Sequence, residues 1–431
     1  MNQTINTSKG LHGIVGVPGD KSISHRALMF GALAEGVCEV SGLSGAADPR
    51  STRECLTALG VKITEKDGAV SVYGKGLHGL RAPAKALDAG NSGTTMRLLA
   101  GILAGQSFAS EITGDDSLRS RPMKRVIEPL TSMGANIHGT DKHTAPLHIK
   151  PSTGLKAISY AMPMASAQVK SAILLAGLYA EGKTAVLETY PTRDHTERML
   201  GLKVSDQGGK HRVEVEGGVK IAPRAFAVPG DISAAAFFIG AGLLVPGSEL
   251  VISNVGLNPT RTTVLDVYKQ MGAKLAIENK RTVAGEPIGD ITVSTSELRT
   301  GFELKGERVA ALIDEIPILA VTAAFAKGVF AVREAQELRG KESDRITTIV
   351  TNLRAMGLEV EEYEDGFAFE GKESLKGAKL ESYDDHRIAM ACAVAGLRAS
   401  GETEIQNSEC ADISFPGFWE ELRKLQYATS G

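Results

Sequence analysis

Cysteine is scarce in this sequence. Cys38, Cys55, Cys392 and Cys410 are the only four in 431 residues, and no two of them form a Cys-x-x-Cys pair. A disulfide scaffold is therefore excluded, and buried reduced thiols are the expectation. Long apolar runs are missing as well. The most hydrophobic stretch, Ala234 to Val245, falls well short of the roughly 20 residues that a membrane span requires. The opening MNQTINTSKG lacks the apolar segment of a secretory leader, which makes the cytoplasm the expected location. Charge of one sign is not in excess either. With 48 Lys and Arg against 51 Asp and Glu, the net charge is -3, which argues against a nucleic-acid coat and against a polybasic membrane anchor. His143, His148 and the other histidines show no metal-ligand spacing, so no metal is expected. No Ser-His-Asp arrangement stands out.

What is present is repetition. Six segments rich in small apolar residues end in a glycine turn: SHRALMFGALAEG, SGTTMRLLAGILAG, SAQVKSAILLAGLYAEG, ISAAAFFIGAGLLVPG, DEIPILAVTAAFAKG and DHRIAMACAVAGLRASG. Their closing glycines, 36, 105, 182, 247, 328 and 401, are spaced by 69, 77, 65, 81 and 73 residues. A period of this length marks one supersecondary unit used repeatedly. A second amphipathic helix follows in each unit, as in STRECLTALG (51–60), MKRVIEPLTSMG (123–134), HTERMLG (195–201), TTVLDVYKQMG (262–272) and ITTIVTNLRAMG (346–357). The last copy, FPGFWEELRKLQ (415–426), lacks the terminal glycine that elsewhere predicts a left-handed helix cap. Each unit reads as helix, strand, helix and strand pair. A coarser duplication overlies this period: VPGDKSIS (17–24) and VPGDISAA (228–235) lie 211 residues apart. A solenoid would satisfy the short period alone. The long one favours two three-unit lobes, residues 21–230 and residues 1–20 with 231–431, and an active site in the cleft between them.

Charge placement points to anionic ligands. Anionic side chains ordinarily suit a helix N-terminus and cations its C-terminus. Here Lys21 and Arg26, Arg121 and Lys124, Arg193, Lys341 and Arg345, and Arg387 stand at or near predicted helix starts. Free N–H groups and the helix dipole already attract anions there, and Arg adds a fork that fits phosphate or carboxylate. One such Arg reads as solvated surface charge; the whole set at equivalent repeat positions reads as a site. Asn91, Ser92, Gly93, Thr94 and Thr95, with Arg97 beyond them, precede one helix. This is a ligand-binding turn or an ordinary N-cap. Ser166, Ala167 and Gln168 open another helix, without the spacing of a nucleotide phosphate loop. Asp314 precedes an apolar helix and is either its cap or a proton-transfer group. Glu342, between Lys341 and Arg345, is the candidate for the opposite proton-transfer role. Asp344, Asp384 and Asp385 read as supports for the arginines. His25 and His386, beside Arg26 and Arg387, either line the site or serve structure.

The motifs GDKSISHR (19–26), GNSGTTMR (90–97), RPM (121–123), SAQ (166–168), DEIP (314–317), KESDR (341–345) and DDHR (384–387) together resemble the 3-phosphoshikimate 1-carboxyvinyltransferase, or EPSP synthase, family along essentially the whole chain. The resemblance implies an α/β fold, a two-domain inside-out α/β barrel with three βαβαββ units per domain. It also implies transfer of the enolpyruvyl group of phosphoenolpyruvate to the 5-hydroxyl of shikimate 3-phosphate, in aromatic amino-acid synthesis, with no cofactor and no metal. Residue by residue, Ser22, Arg26, Ser166 and Arg193 match contacts to shikimate 3-phosphate. Gly93, Arg121, Arg345 and Arg387 match contacts to phosphoenolpyruvate, and Lys21, Gln168 and Lys341 lie between the two. Asp314 matches the base for the attacking hydroxyl, and Glu342 matches the group that protonates the methylene carbon. Asn91, Thr94, Ala167 and His386 complete the expected binding set. Both substrates are small anions; no nucleic acid or membrane partner is expected, and a monomer is.

The chain departs from the family pattern at two places. Ile413 and Ser414 precede Phe415-Pro416 where many members carry a Lys, which removes one expected phosphate contact. Arg193, within TRDHTE (192–197), stands where other members use Tyr and resembles the class II branch. Gly93, where tolerant members of that branch carry Ala, implies that glyphosate fits. The sister UDP-N-acetylglucosamine enolpyruvyl transferase differs in opening with Lys-Asn and in a reactive Cys that DDSLRSRPMK (115–124) lacks. A six-unit clamp around DNA would need a basic inner face, which the net charge opposes.

Overall fold

The computed structural model describes residues 1–427. The chain divides into two compact units: residues 19–228 with 283–286, and residues 1–18, 229–282 and 287–431. Each has its own hydrophobic core.

In the first unit the three repeat helices are Lys21–Leu33, Gly93–Leu103 and Ala167–Gly177. They are apolar on all sides, so they are surrounded by protein rather than laid on a surface. Exposure within them is confined to the first turn: Lys21 and Ser22, Thr94, and Ala167 and Gln168 are partly accessible, and the rest are buried. Helices Gly93–Leu103 and Ala167–Gly177 touch backbone to backbone. A Cβ at Gly101 would lie 2.2 Å from the carbonyl oxygen of Ala172, so only glycine permits the approach. Outside them run the second helices, Ala47–Ala58, Lys124–Ser132 and His195–Leu200, and three four-stranded sheets of one plan. In the second sheet, for example, Leu87–Asp88 pairs parallel with Ser110–Thr113, which pairs antiparallel with Leu147–Ile149, itself antiparallel to Ile137–His138.

The other unit repeats the plan with helices Ile232–Leu244, Ile316–Ala324 and His386–Arg398. Every residue of Ile232–Leu244 is buried. The N-terminal segment is divided between two of its sheets. His12–Gly16 pairs parallel with Glu249–Gly256 and so opens the fourth repeat. Gln3–Ile5 pairs antiparallel with Thr403–Gln406 in the sixth. The sixth sheet therefore has three strands, and its last one is supplied from the other end of the chain instead of by a local strand pair. The corresponding opening strand of the first repeat, Phe226–Ala227, pairs with Glu35–Ser41. Each unit thus carries three helix–strand–helix modules, and in residues 19–228 the partly accessible first turns carry Lys21, Ser22, Thr94, Ala167 and Gln168.

Candidate active site

Two groups of predicted side chains assemble, one in each unit. In residues 19–228, Asp20 caps the first helix by accepting from Ile23 N at 2.8 Å, which fixes Lys21 and Ser22 at its mouth. Lys21 Nζ lies 3.0 Å from Asp48 Oδ2. One turn inward, the buried Arg26 donates from Nε to Thr196 Oγ1 at 2.7 Å, from Nη2 to Ser171 Oγ at 2.8 Å and from Nη1 to the Ser22 carbonyl at 2.9 Å. Burial lowers the proton affinity of Arg26 to a pKa of about 10; Glu197 and Asp20 oppose the fall and nearby Arg193 adds to it. Arg26 stays charged at neutral pH, and Arg193 lies close enough to it to be felt electrostatically.

The second mouth is built around Gly93. Ser92 caps that helix through Thr95 N at 3.1 Å. Arg97 Nη1 donates to Gln168 Oε1, and Gln168 Nε2 donates to Thr94 Oγ1 at 3.0 Å, so the GNSGTTMR and SAQ motifs meet. Arg121 Nη2 donates to Asn91 Oδ1 at 2.8 Å and to Ser117 Oγ at 3.1 Å, while Asn91 donates to Asp115 Oδ2 at 2.7 Å. A Cβ on Gly93 would lie 2.6 Å from Arg97 Nη1 and 3.7 Å from Arg121 Nη1. The backbone at Gly93 is therefore bare between two guanidinium groups. Ser166 caps the third helix through Val169 N at 3.4 Å, with Ala167 and Gln168 in its first turn.

In the other unit, Arg345 is the hub. Only 1% exposed, it donates from Nε to Asp385 Oδ2 at 2.8 Å and from Nη2 to Glu342 Oε2 at 2.7 Å, and its Nη1 lies 3.4 Å from Asp314 Oδ1. Arg387 Nε is also 3.4 Å from Asp314 Oδ1, and its Nη1 donates to the Asp314 carbonyl at 3.1 Å. Burial opposes the charge on Arg345, but Asp385, Glu342 and Asp314 together outweigh it and raise its proton affinity. Burial likewise opposes ionisation of Asp385, yet Arg345 and then His386 hold it below the usual carboxylate range. Lys341 Nζ lies 2.9 Å from Glu337 Oε1.

Several sequence expectations change. Asp314 does not cap the apolar helix: Glu315 occupies that position and makes no side-chain cap bond, which leaves the Asp314 carboxylate for the two arginines. Arg121 ends the short helix Asp116–Ser120 rather than opening the next one. Lys341 follows a 3-10 turn, four residues ahead of the helix that Arg345 begins. Asp385 supports Arg345 as expected, and Asp344 bonds a different arginine, Arg339, at 2.7 Å. Asp384 takes a left-handed backbone with φ 56, and its N–H donates to Ser382 Oγ; no ion pair joins it to an arginine among the described residues. His25 is wholly buried, with Nδ1 2.6 Å from Thr52 Oγ1, and burial lowers its pKa to about 3, so it is a neutral structural histidine. His386 is also buried, at 1% exposure. Ile413, partly exposed, ends the 3-10 turn Ser408–Ile413, and Ser414 caps it. The hydroxyls of Ser171 and Thr196 had no sequence signal as Arg26 partners, because they lie 145 and 170 residues away. Among the described residues no group of three or more His, Cys, Asp or Glu is arranged to hold a metal ion, and no helix is long and apolar enough to cross a membrane.

These clusters sit on a chain with close relatives. The family model described as EPSP synthase (3-phosphoshikimate 1-carboxyvinyltransferase) matches residues 5–422. A 3-phosphoshikimate 1-carboxyvinyltransferase of Salinibacter ruber is 51% identical over 429 residues, 99% of each chain. One from a Synechococcus strain is 52% identical over 98% of this chain and 96% of its own length. Among solved structures, an EPSP synthase from Acinetobacter baumannii aligns with a TM-score of 0.87 at 46% identity over 98% of both chains. With the motifs in place and the match running nearly end to end, the chain belongs to the EPSP synthase family.

Proposed function

We propose that this enzyme transfers the enolpyruvyl group of phosphoenolpyruvate to the 5-hydroxyl of shikimate 3-phosphate, releasing phosphate. The reading rests on family membership and on one arrangement: a carboxylate, Asp314, set between two guanidinium groups at 3.4 Å each, with a second carboxylate, Glu342, on the same arginine. Arginine forks suit the carboxylate and phosphate of phosphoenolpyruvate. Asp314 takes the proton from the 5-hydroxyl as its oxygen bonds to C2 of phosphoenolpyruvate, and Glu342 delivers a proton to C3. The tetrahedral adduct then expels phosphate as C3 loses a proton, which restores the double bond. Atoms balance without a cofactor.

Ser22, Arg26, Ser166 and Arg193 hold shikimate 3-phosphate in this reading, and Gly93 and Arg121, with Arg345 and Arg387, hold phosphoenolpyruvate. Lys21, Gln168 and Lys341 lie between the ligands. The same reading takes the enzyme as a cytoplasmic monomer and as a target of glyphosate. Asp314→Asn tests it. Turnover, followed as phosphate release with both substrates, is expected to fall about 10²–10⁴-fold, while calorimetric affinity for shikimate 3-phosphate changes little. Equal losses in both would make Asp314 merely structural.

A further inference from the structure

The duplicated motif places a serine at two equivalent points, Ser22 after Asp20 and Ser233 after Asp231. The two do different things. Ser22 is partly exposed at a helix mouth, whereas Ser233 is 2% exposed in a polar chain inside the other unit. Arg261, 3% exposed, donates from Nη2 to Ser233 Oγ at 2.6 Å and to Asp231 Oδ1 at 3.2 Å. Asp231 Oδ1 also accepts from Ser233 N at 2.8 Å, capping the helix Ile232–Leu244. Ser233 Oγ in turn donates to Glu315 Oε1, and Glu315 is 1% exposed.

We infer that Asp231, Arg261, Ser233 and Glu315 form a positioning chain that holds Asp314 at the angle the reaction needs. A serine hydroxyl has one hydrogen and two lone pairs. With Arg261 donating into a lone pair, the hydrogen is directed to Glu315. Glu315 is the residue after Asp314, and it starts the helix Ile316–Ala324. The dipeptide is therefore gripped on both sides, by Ser233 at the Glu315 carboxylate and by Arg387 at the Asp314 carbonyl. This grip leaves the Asp314 carboxylate little freedom to turn away from Arg345 and Arg387. Asp314 is already excused from capping, so the buried chain is what orients the start of this helix. Three of the four groups, Arg261, Ser233 and Glu315, are buried; buried polar groups joined in series are costly unless each is satisfied, and they rigidify what they touch when they are. Sub-ångström placement of a reacting group governs turnover far more than substrate affinity.

The inference rests on the proposed role of Asp314, and a double-mutant cycle separates the two. Ser233→Ala is expected to lower kcat about tenfold or more, with KM for both substrates within about twofold and the denaturation midpoint still that of a folded protein. In an Asp314→Asn background the same change should alter kcat less than about twofold, because the group it positions has gone. Glu315→Gln keeps an acceptor for Ser233 and should retain more turnover than Glu315→Ala, which tests the chain without touching the serine. Wild-type kcat in Ser233→Ala, or equal losses in both backgrounds, would overturn the positioning role. Failure of Asp314→Asn itself to lower turnover would instead strike at the reaction assignment.

Discussion

The two clusters of predicted site residues satisfy their arginines in different ways. In residues 19–228 the guanidinium groups of Arg26, Arg97 and Arg121 bond to hydroxyls, amides and backbone carbonyls: Thr196, Ser171, Ser22, Gln168, Asn91 and Ser117. In the other unit Arg345 and Arg387 bond to carboxylates: Asp385, Glu342 and Asp314. Neutral dipoles orient a cation without cancelling it, so the arginines of the first cluster suit the phosphate-holding role proposed for them. Carboxylates cancel much of the charge but supply groups that can carry protons. In the proposed reaction, similar helix-start geometry serves for holding in one unit and for proton transfer in the other. Even the paired His-Arg motifs divide this way. His25, beside Arg26, is neutral in its burial, whereas His386, beside Arg387, helps to hold Asp385 ionised.

The strongest test of this contrast removes one partner from each cluster. Asp385→Asn strips the buried Arg345 of its two-oxygen partner. Loss of one member of a buried ion pair costs about 3–5 kcal/mol, so a large fall in the denaturant midpoint is expected along with a fall in turnover. Ser171→Ala takes from Arg26 one neutral bond of three, which is worth about 1.5–3 kcal/mol when one partner is charged. Equal destabilisation in the two variants would erase the distinction between charge-satisfied and dipole-satisfied arginines.

A smaller test probes the bare backbone between Arg97 and Arg121. Gly93→Ala places a methyl group 2.6 Å from Arg97 Nη1. The far end of a flexible side chain can move, so the fold survives, but Arg97 is pushed from Gln168 and the space beside Arg121 shrinks. One methyl group in a tight pocket is worth about 1–3 kcal/mol of discrimination. Inhibition by glyphosate in competition with phosphoenolpyruvate is expected to weaken at least about tenfold, with a smaller rise in KM for phosphoenolpyruvate. Unchanged inhibition would remove Gly93 from the phosphoenolpyruvate half of the site.

Much of this was legible in the sequence, for physical reasons that also mark where legibility ends. The second helices end at Gly60, Gly134, Gly201, Gly272 and Gly357, all with positive φ, because a left-handed cap is a local demand that only a few residues meet. Charges at helix starts were visible because they break a local rule. Strand partners were not visible. Gln3–Ile5 joins Thr403–Gln406 and Phe226–Ala227 joins Glu35–Ser41, and no periodicity reports pairing across such separations. The site follows the same division. Asp314 stood out against an apolar helix, yet its release from capping depends on Glu315, whose partner Ser233 is 82 residues away. Ser233 looked like a mere repeat of Ser22, and only burial shows that it has become structural.

The subtlest consequence of the contrast lies in how stability depends on pH. His25 titrates at about 3 in the folded protein against an ordinary 6.5, chiefly through burial, with Lys21 and Arg26 adding to the fall and Asp48 opposing it. Between these values the unfolded chain binds a proton at this position and the native one does not. Stability therefore rises with pH across this window and is lost as pH falls below about 6.5, by at most about 1.4 kcal/mol per pH unit. Above pH 4.5 the carboxylate Asp385, held below its usual range, is ionised in both states and adds no slope. Denaturant midpoints measured from pH 4.5 to 6.5 should then show a one-proton slope that His25→Asn flattens, since asparagine carries no titrating proton. A slope that survives the substitution would mean that His25 is solvated or charged in the native protein. The first cluster would then hold a further cation close to Lys21 and Arg26, and its reliance on neutral dipoles would no longer distinguish it from its counterpart.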